Sequence, residues 1–201
     1  MPQLYTDGGY VLGEVISALQ KEIRRGNEAE AMYWALELVP RYEAYLWRRL
    51  NVIAQEDIGI AAPELLALVP SQEAQWFRFR AEGKDGTCRL ILANTVLAMC
   101  RSPKSRLADH FQCVVNQRRL SGERREVPDY ALDKHTQRGK RLGRGVAHWR
   151  AEGCTLQPAA DLDDPYADEA YERWASPDFV QTNWGRRGKA KEPAEEQGAL
   201  F

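Results

Sequence analysis

The sequence predicts an all-α fold: a compact multi-helix domain followed by a long, irregular extension that tends towards disorder. Apolar residues recur at helical spacing through the first two-thirds of the chain, and alternating stretches of strand length are scarce. After about residue 122 this periodicity gives way to runs of charge. We therefore divide the 201 residues into an extension (1–9), a helical domain (10–120), a basic and then acidic extension packing on or near that domain (121–182), and a flexible tail (183–201).

The early helices follow from their periodicity and their boundary residues. The first helix ends at Gly26, and Asn27 starts the second with Glu30 as its capping-box partner. That helix stops near Pro40, and a third, beginning at about residue 41, ends at Gly59.

The later helices are predicted in the same way. Pro63 opens a short fourth helix, and SQEAQWFRFR forms a separate fifth. Thr87 caps a buried apolar helix from Cys88 to Cys100, and Ser105 starts a further helix. The apolar face of that last helix consists of Leu107, Phe111, Val114 and Val115.

Composition limits the function classes. Apolar residues make up 44% of the chain and charged residues 28%, which is typical of a globular protein. The net charge is −1, so contact with nucleic acid would need a local basic patch. There is no apolar run long enough for a membrane helix and no secretory signal. The four cysteines are widely spaced, which favours reduced thiols and a cytoplasmic location.

Most recognisable catalytic motifs are missing. No segment has the spacing of a phosphate-binding P-loop, so we expect no ATPase activity. His110 and Cys113 have no second ligand pair, which argues against a zinc site, and we expect no metal or cofactor. An alternative that stays open is a metal-dependent nucleic-acid-processing enzyme that uses Asp133 and His135.

Two stretches, ISALQKEIRRGNEAEAMYWALELV and RRLNVIAQEDIGIAAPELLALV, carry a family resemblance. The matching residues are Ala31, Tyr33 and Trp34, then Arg48, Arg49 and Leu50, then Glu56, Asp57, Ile58, Gly59, Ala61 and Pro63, and finally Ser102, Pro103, Lys104 and Ser105. In this pattern the chain resembles the C-terminal region of the RarA/MgsA replication-associated AAA+ ATPases, relatives of the Werner-helicase-interacting ATPase. The resemblance covers about residues 10 to 120 and extends more loosely to 150.

The resemblance implies an all-helical domain that assembles subunits, usually as tetramers, in a protein that works at stalled replication forks. The sequence has no counterpart of the family's ATPase domain, so only assembly and fork association are implied. The candidate partners are a second copy, in a dimer or tetramer, and a RarA-like ATPase. Tyr42, Tyr45 and Trp47 are candidates for the interface, with simple burial as the alternative.

Glu56 and Asp57 are poorly placed for a helix C-terminus, where the dipole favours cations. We expect them to pair with Arg48 or Arg49 and to have a structural role.

The last five residues, QGALF, resemble the pentapeptide by which bacterial replication proteins bind the β sliding clamp. Leu200 and Phe201 would fill an apolar pocket, and Gln197 would bond at its rim. The alternative is that this apolar terminus docks on its own domain.

A basic stretch precedes an acidic one. Residues 118–150 hold ten basic and four acidic side chains, and residues 151–182 hold eight acidic and one basic. Tyr130, His135 and Trp149 lie among the cations, which suits unpaired DNA. The alternative is that the basic stretch packs on the acidic one. The candidate DNA-binding residues are Lys134, Arg138, Lys140, Arg141, Arg144 and Arg150.

Together these features predict a non-enzymatic replication or repair accessory protein that oligomerises, binds the sliding clamp and contacts DNA at the replication fork. A purely structural oligomerisation module is the remaining alternative.

Overall fold

The computed structural model describes residues 3–179 and divides the chain into two compact units, Met1–Arg124 and Arg125–Phe201. The described residues are helical and contain no strand, apart from one isolated bridge between Tyr5 and Val11, so the predicted all-α class is confirmed. Residues 3–9 join the first unit through that bridge, and Thr6 is buried. No helix within 3–179 is long and apolar enough to cross a membrane.

The first two helices are α1 (Leu12–Arg25) and α2 (Glu28–Leu36). Gly26 ends α1 in the left-handed conformation, with φ of 75°, as predicted. The predicted capping box is wrong, because the Asn27 side chain donates backwards to Glu22 and makes no cap hydrogen bond.

Helix α3 (Glu43–Ile53) is shorter than predicted, because the backbone changes from α-helical to π-helical geometry before Gly59. A π-helical turn (Ala54–Ile58) and a 3₁₀ turn (Gly59–Ala61) follow α3 without a break. Gly59 has φ of 53°, a conformation that side chains disfavour, so the π-helical turn ends there, six residues after the end of α3 itself.

Helix α4 (Glu64–Ala81) is one continuous helix, so the prediction of two separate helices is wrong. Pro70 lies inside it and removes one backbone donor. The helix continues because Leu65, Val69 and Trp76 all bury their side chains in the core.

Helix α5 (Asp85–Arg101) is the central buried helix of the first unit and packs against α4, α2 and α1. It begins before Thr87, so the predicted cap is wrong, and Thr87 lies in the first turn. Its buried residues are Cys88, Ile91, Leu92, Thr95, Val96, Met99 and Cys100. Beside it, Trp47 and Trp76 pack at 5.6 Å between ring centroids.

Helix α6 (Leu107–Leu120) ends the first unit and buries no residue. The predicted apolar face exists, but its members are exposed to solvent.

The second unit consists of short elements within residues 125–179. They are a 3₁₀ turn (Asp129–Ala131), α7 (Gln137–Arg141), α8 (Val146–His148) continuing into a π-helical turn (Trp149–Gly153), and α9 (Ala167–Ala175). The hydroxyl of Thr136 caps α7 by accepting from the Gly139 amide at 2.9 Å. The predicted extension is thus more helical than its sequence indicates.

Candidate functional site

Asp57 is fully buried at the inner side of the π-helical turn. Arg24 Nη2 lies 2.8 Å from its Oδ1 and 3.1 Å from its Oδ2, and the Gln20 amide donates to Oδ2 at 2.9 Å. The Gln20 amide also donates to Glu56 at 3.1 Å. A buried carboxylate needs such partners, because an unpaired charge in the interior is costly. The predicted pairing with Arg48 or Arg49 is wrong, because the wider turn directs Asp57 towards α1.

The segment SPKS meets this cluster from the other side. The Ser105 amide donates to the Asp57 carbonyl at 2.9 Å, and Arg106 contacts Glu56 at 3.1 Å. The Lys104 ammonium donates to the carbonyls of Cys100 and Ser102, and burial lowers its pKa. Both stretches that carry the family resemblance therefore meet at Asp57, next to the SPKS segment, and SPKS fixes the point where α6 begins.

Beyond this anchor α6 is open to solvent. Every residue of α6 except Asp109 is exposed, including Leu107 at 54% and Phe111 at 66%. A groove of about 690 Å³ runs between α3, the π-helical turn and the first half of α6. Val52 and Phe111 supply its apolar lining, and Arg48 supplies an exposed cation. This surface has the mixed character of a protein interface.

The three aromatic residues predicted at an interface lie elsewhere in the first unit. Trp47 is fully buried, so it offers no surface to a partner in this conformation. Tyr42 and Tyr45 are partly buried against the core, and the Tyr42 hydroxyl donates to the Tyr5 carbonyl at 2.9 Å. The interface role of all three residues stays a prediction. The alternative, simple burial in the core, fits Trp47.

The six predicted DNA-binding residues fall into two groups. Three are engaged within the second unit: Arg144 bonds Asp129, Arg150 pairs with Asp168, and the Lys134 ammonium lies 4.5 Å from the centroid of Trp149. The other three, Arg138, Lys140 and Arg141, are exposed, and their side chains have no hydrogen-bond or ion-pair partner among residues 3–179.

Trp149 is the centre of an aromatic cluster. The rings of His135, Tyr171 and Trp174 lie at 5.7, 5.8 and 5.4 Å from it, and Arg150 covers Tyr171. Because these neighbouring rings already pack against its indole, Trp149 is poorly placed to stack on a base. The predicted alternative is that the basic stretch packs on the acidic one. The pair of Arg150 with Asp168 fits this alternative, whereas Arg144 pairs with Asp129, which lies in the basic stretch itself.

Asp133 and His135 form a tight local turn. The Asp133 carboxylate accepts from the His135 amide at 2.9 Å and lies 2.8 Å from its Nδ1, and these bonds lower the pKa of Asp133. Gly139 packs so closely on this turn that a Cβ would lie 1.8 Å from the Asp133 carbonyl oxygen. Within the described part of the chain, no three His, Cys, Asp or Glu residues cluster as metal ligands.

Gln197, Leu200 and Phe201, predicted to bind the sliding clamp, lie outside the described residues. Sequence reasoning missed Arg24, Gln20 and Arg106 as the partners of the acidic pair. A π-helical turn leaves no periodic signal, so the inward direction of Asp57 could not be obtained from spacing. Reasoning from periodicity did find the α6 face, but spacing alone does not say whether such a face is covered.

The comparisons with known proteins point to one family. The family model "MgsA AAA+ ATPase C terminal" matches residues 26–159. Replication-associated recombination protein A of Bacillus subtilis is 32% identical over 66% of the chain and 31% of its own length. The protein of the same name from Haemophilus influenzae is 27% identical over 85% of the chain and 36% of its own length. ATPase WRNIP1 of Dictyostelium discoideum is 26% identical over 71% of the chain and 16% of its own length.

The match over residues 26–159 defines the class: an all-α module of the AAA+ ATPase C-terminal type. More particularly, the chain belongs to the MgsA C-terminal family, as its sequence resemblance predicts. It spans about a third of the length of the bacterial relatives named here.

Proposed function

We propose that the chain is a non-enzymatic accessory module of DNA replication or repair that self-associates through α6 and carries attachment sites for other fork components. The exposed apolar face of α6 is the observation that carries this proposal. The relatives named Replication-associated recombination protein A support the setting at the replication fork.

The physical state of α6 favours a partner. A helix of 14 residues is marginal in water by itself, and α6 touches its own unit mainly near its first turns. Leu107, Phe111 and Val114 follow the i, i+4, i+7 spacing of a helix-pairing seam.

The charges of α6 suit a second copy in antiparallel orientation. Asp109 lies near the start of the helix, and Arg118 and Arg119 lie in its last turn. In a two-fold symmetric pair each acidic start would face the basic end of the other copy, which is self-complementary. We therefore place self-association on α6 rather than on Tyr42, Tyr45 and Trp47.

Sedimentation velocity tests this assembly. The wild type should sediment as a dimer or larger species at micromolar concentration, and Phe111→Ser should sediment as a monomer. Leu90→Ser is the matched control, because Leu90 lies on α5 and is equally exposed at 66%. A monomeric wild type, or equal association of both variants, would contradict the proposal.

The second attachment site is the C-terminal pentapeptide, proposed from its sequence. Truncating an anchor side chain costs about 2 kcal/mol or more, so Leu200→Ala with Phe201→Ala should abolish binding to a bacterial β sliding clamp in calorimetry. Ala199→Ser serves as the control. Equal heats for the wild type and the double variant would show that the motif is a chance match.

Contact with DNA is the third element, and Arg138, Lys140 and Arg141 are its strongest candidates because they are exposed and uncommitted. Replacing all three with Gln should weaken binding to an oligonucleotide and flatten its salt dependence, since fewer counterions would be released. Arg150→Gln is the control, because Arg150 is already paired with Asp168. The tight turn of Asp133 and His135 supports a structural role for that pair rather than the enzymatic alternative.

A further inference from the structure

The second unit holds an arginine that is positioned independently of the carboxylate it binds. Arg144 Nη1 donates to the carbonyls of Asp129 at 2.8 Å and Leu132 at 3.0 Å. Arg144 Nη2 donates to both carboxylate oxygens of Asp129, each at 2.7 Å. The two carbonyl bonds would keep the guanidinium in place if the carboxylate left.

The two partners differ in their surroundings. The Arg144 side chain is 18% exposed, whereas that of Asp129 is 76% exposed. The carboxylate can therefore rotate into water, while the guanidinium stays where it is. The exchange breaks one ion pair of which only the carboxylate partner is exposed, and the two carbonyl bonds of Arg144 remain.

Further positive charge surrounds the carboxylate. Hydrogen bonding to Arg144 lowers the pKa of Asp129, and the charges of Arg144, His148 and Arg138 lower it further. The buried Nδ1 of His148 has no hydrogen-bond partner among residues 3–179. Asp129 thus occupies a position that the fixed guanidinium of Arg144, with further charge nearby, favours for an anion.

We infer that Arg144 forms a phosphate-binding site for a nucleic-acid backbone, and that the Asp129 carboxylate occupies it as an internal competitor. A phosphodiester fits the same donors, because a guanidinium bonds phosphate and carboxylate oxygens alike. This inference rests on the proposed contact with DNA and adds its regulation: nucleic acid must displace Asp129 to reach Arg144.

The test compares two variants that each remove one negative charge. Asp129→Asn vacates the site, whereas Glu152→Gln removes a charge of the same unit that has no ion-pair partner among the described residues. With an oligothymidylate as the probe, Asp129→Asn should bind about fivefold more tightly than the wild type, because the lost ion pair no longer competes. The slope of its logarithmic affinity against the logarithm of the salt concentration should steepen by about one phosphate contact. Glu152→Gln should change both the affinity and this slope less.

A second background separates a local site from a general charge effect. Arg144→Lys keeps the positive charge but loses the planar, multiple donors of the guanidinium. In this background Asp129→Asn should give a much smaller gain in oligothymidylate affinity. Near-ultraviolet circular dichroism of the tryptophan cluster checks that the unit stays folded. Equal gains in the wild-type and Arg144→Lys backgrounds, or equal gains for Asp129→Asn and Glu152→Gln, would overturn the inference.

The source of the phosphate is distinguished by competition. Inorganic phosphate at the concentration of the oligothymidylate, and at constant ionic strength, should leave the gain of Asp129→Asn unchanged, because it lacks the other contacts of a nucleic-acid backbone. If it removes the gain, free phosphate is the ligand and the assignment to nucleic acid is overturned. If the Arg138, Lys140 and Arg141 triple variant loses binding but Asp129→Asn behaves as Glu152→Gln, the proposed DNA contact stands and only the competitor role of Asp129 fails.

Discussion

Helices α5 and α6 follow one another along the chain and are similar in length, yet they meet opposite environments. The 17-residue α5 buries seven side chains, while the 14-residue α6 buries none. Both carry apolar side chains, so composition does not separate them. The difference teaches that α5 contributes its apolar surface to folding, whereas α6 leaves its apolar surface exposed, which is what the proposed self-association requires.

The junction between the two helices explains how this difference is maintained. Lys104 bonds the last carbonyls of α5, and the Ser105 amide bonds the carbonyl of Asp57. The start of α6 is thereby fixed by polar contacts rather than by burial of its face. We expect this arrangement to hold α6 in position without covering the residues that a partner would need.

The largest effect should come from removing a buried side chain of α5. Leu92 is fully buried, and Leu92→Ala should lower the free energy of unfolding by about 3 kcal/mol, the sum of lost transfer energy and a cavity. Leu90→Ala on the same helix is the control and should stay within about 0.5 kcal/mol, since that side chain is exposed. Urea titrations measure both, and similar losses would show that α5 is not asymmetrically buried.

Cysteine reactivity should separate the helices by about a hundredfold in rate. Burial raises the pKa of Cys100 to about 11 and also raises that of Cys88, whereas Cys113 on α6 is exposed. The thiolate is the reactive form, so a raised pKa moves reactivity to higher pH, and at pH 8 a thiol such as Cys100 is only about one-thousandth ionised.

Iodoacetamide labelling followed by mass spectrometry checks this contrast. Cys113 should label rapidly in the native protein, and all four cysteines should label in urea, which is the control. Native labelling of Cys100 at the rate of Cys113 would contradict the buried position of α5.

A smaller effect is expected at the base of α6. Arg24→Met leaves the buried Asp57 with only the Gln20 amide, and it should cost about 2 kcal/mol, less than a fully buried pair because Arg24 is partly exposed. Arg25→Met, one residue further along the same helix, should cost less than about 0.5 kcal/mol. Hydrogen exchange should show faster opening of the first turn of α6 in Arg24→Met alone. Identical exchange rates in both variants would show that the Arg24–Asp57 contact does not stabilise the start of α6.

The sequence was most informative where one residue controls the backbone or where burial follows a period. Gly26 ends α1 as predicted, and the apolar residues of α5 are buried as predicted, whereas Gly59 ends only the π-helical turn that follows α3. The two helices predicted within residues 63–80 are one, because packing of Val69 and Trp76 outweighs the backbone bond lost at Pro70.

The candidate sites were predictable only in part. The basic stretch is visible as composition, but the division between engaged Arg144 and free Arg138 depends on a turn that brings residues 129 and 144 together. The Asp57 cluster joins side chains from three distant segments, and local spacing contains no information about such a meeting.

Helix α1 has a practical consequence for anyone isolating this family's domain. The family match begins at residue 26, yet Leu19 and Ile23 are completely buried, and Gln20 and Arg24 hold Asp57. A fragment cut at the matched boundary would leave an apolar trench and a buried carboxylate without its counter-ion. Such a fragment should aggregate on expression, whereas one that starts before residue 12 should remain in solution.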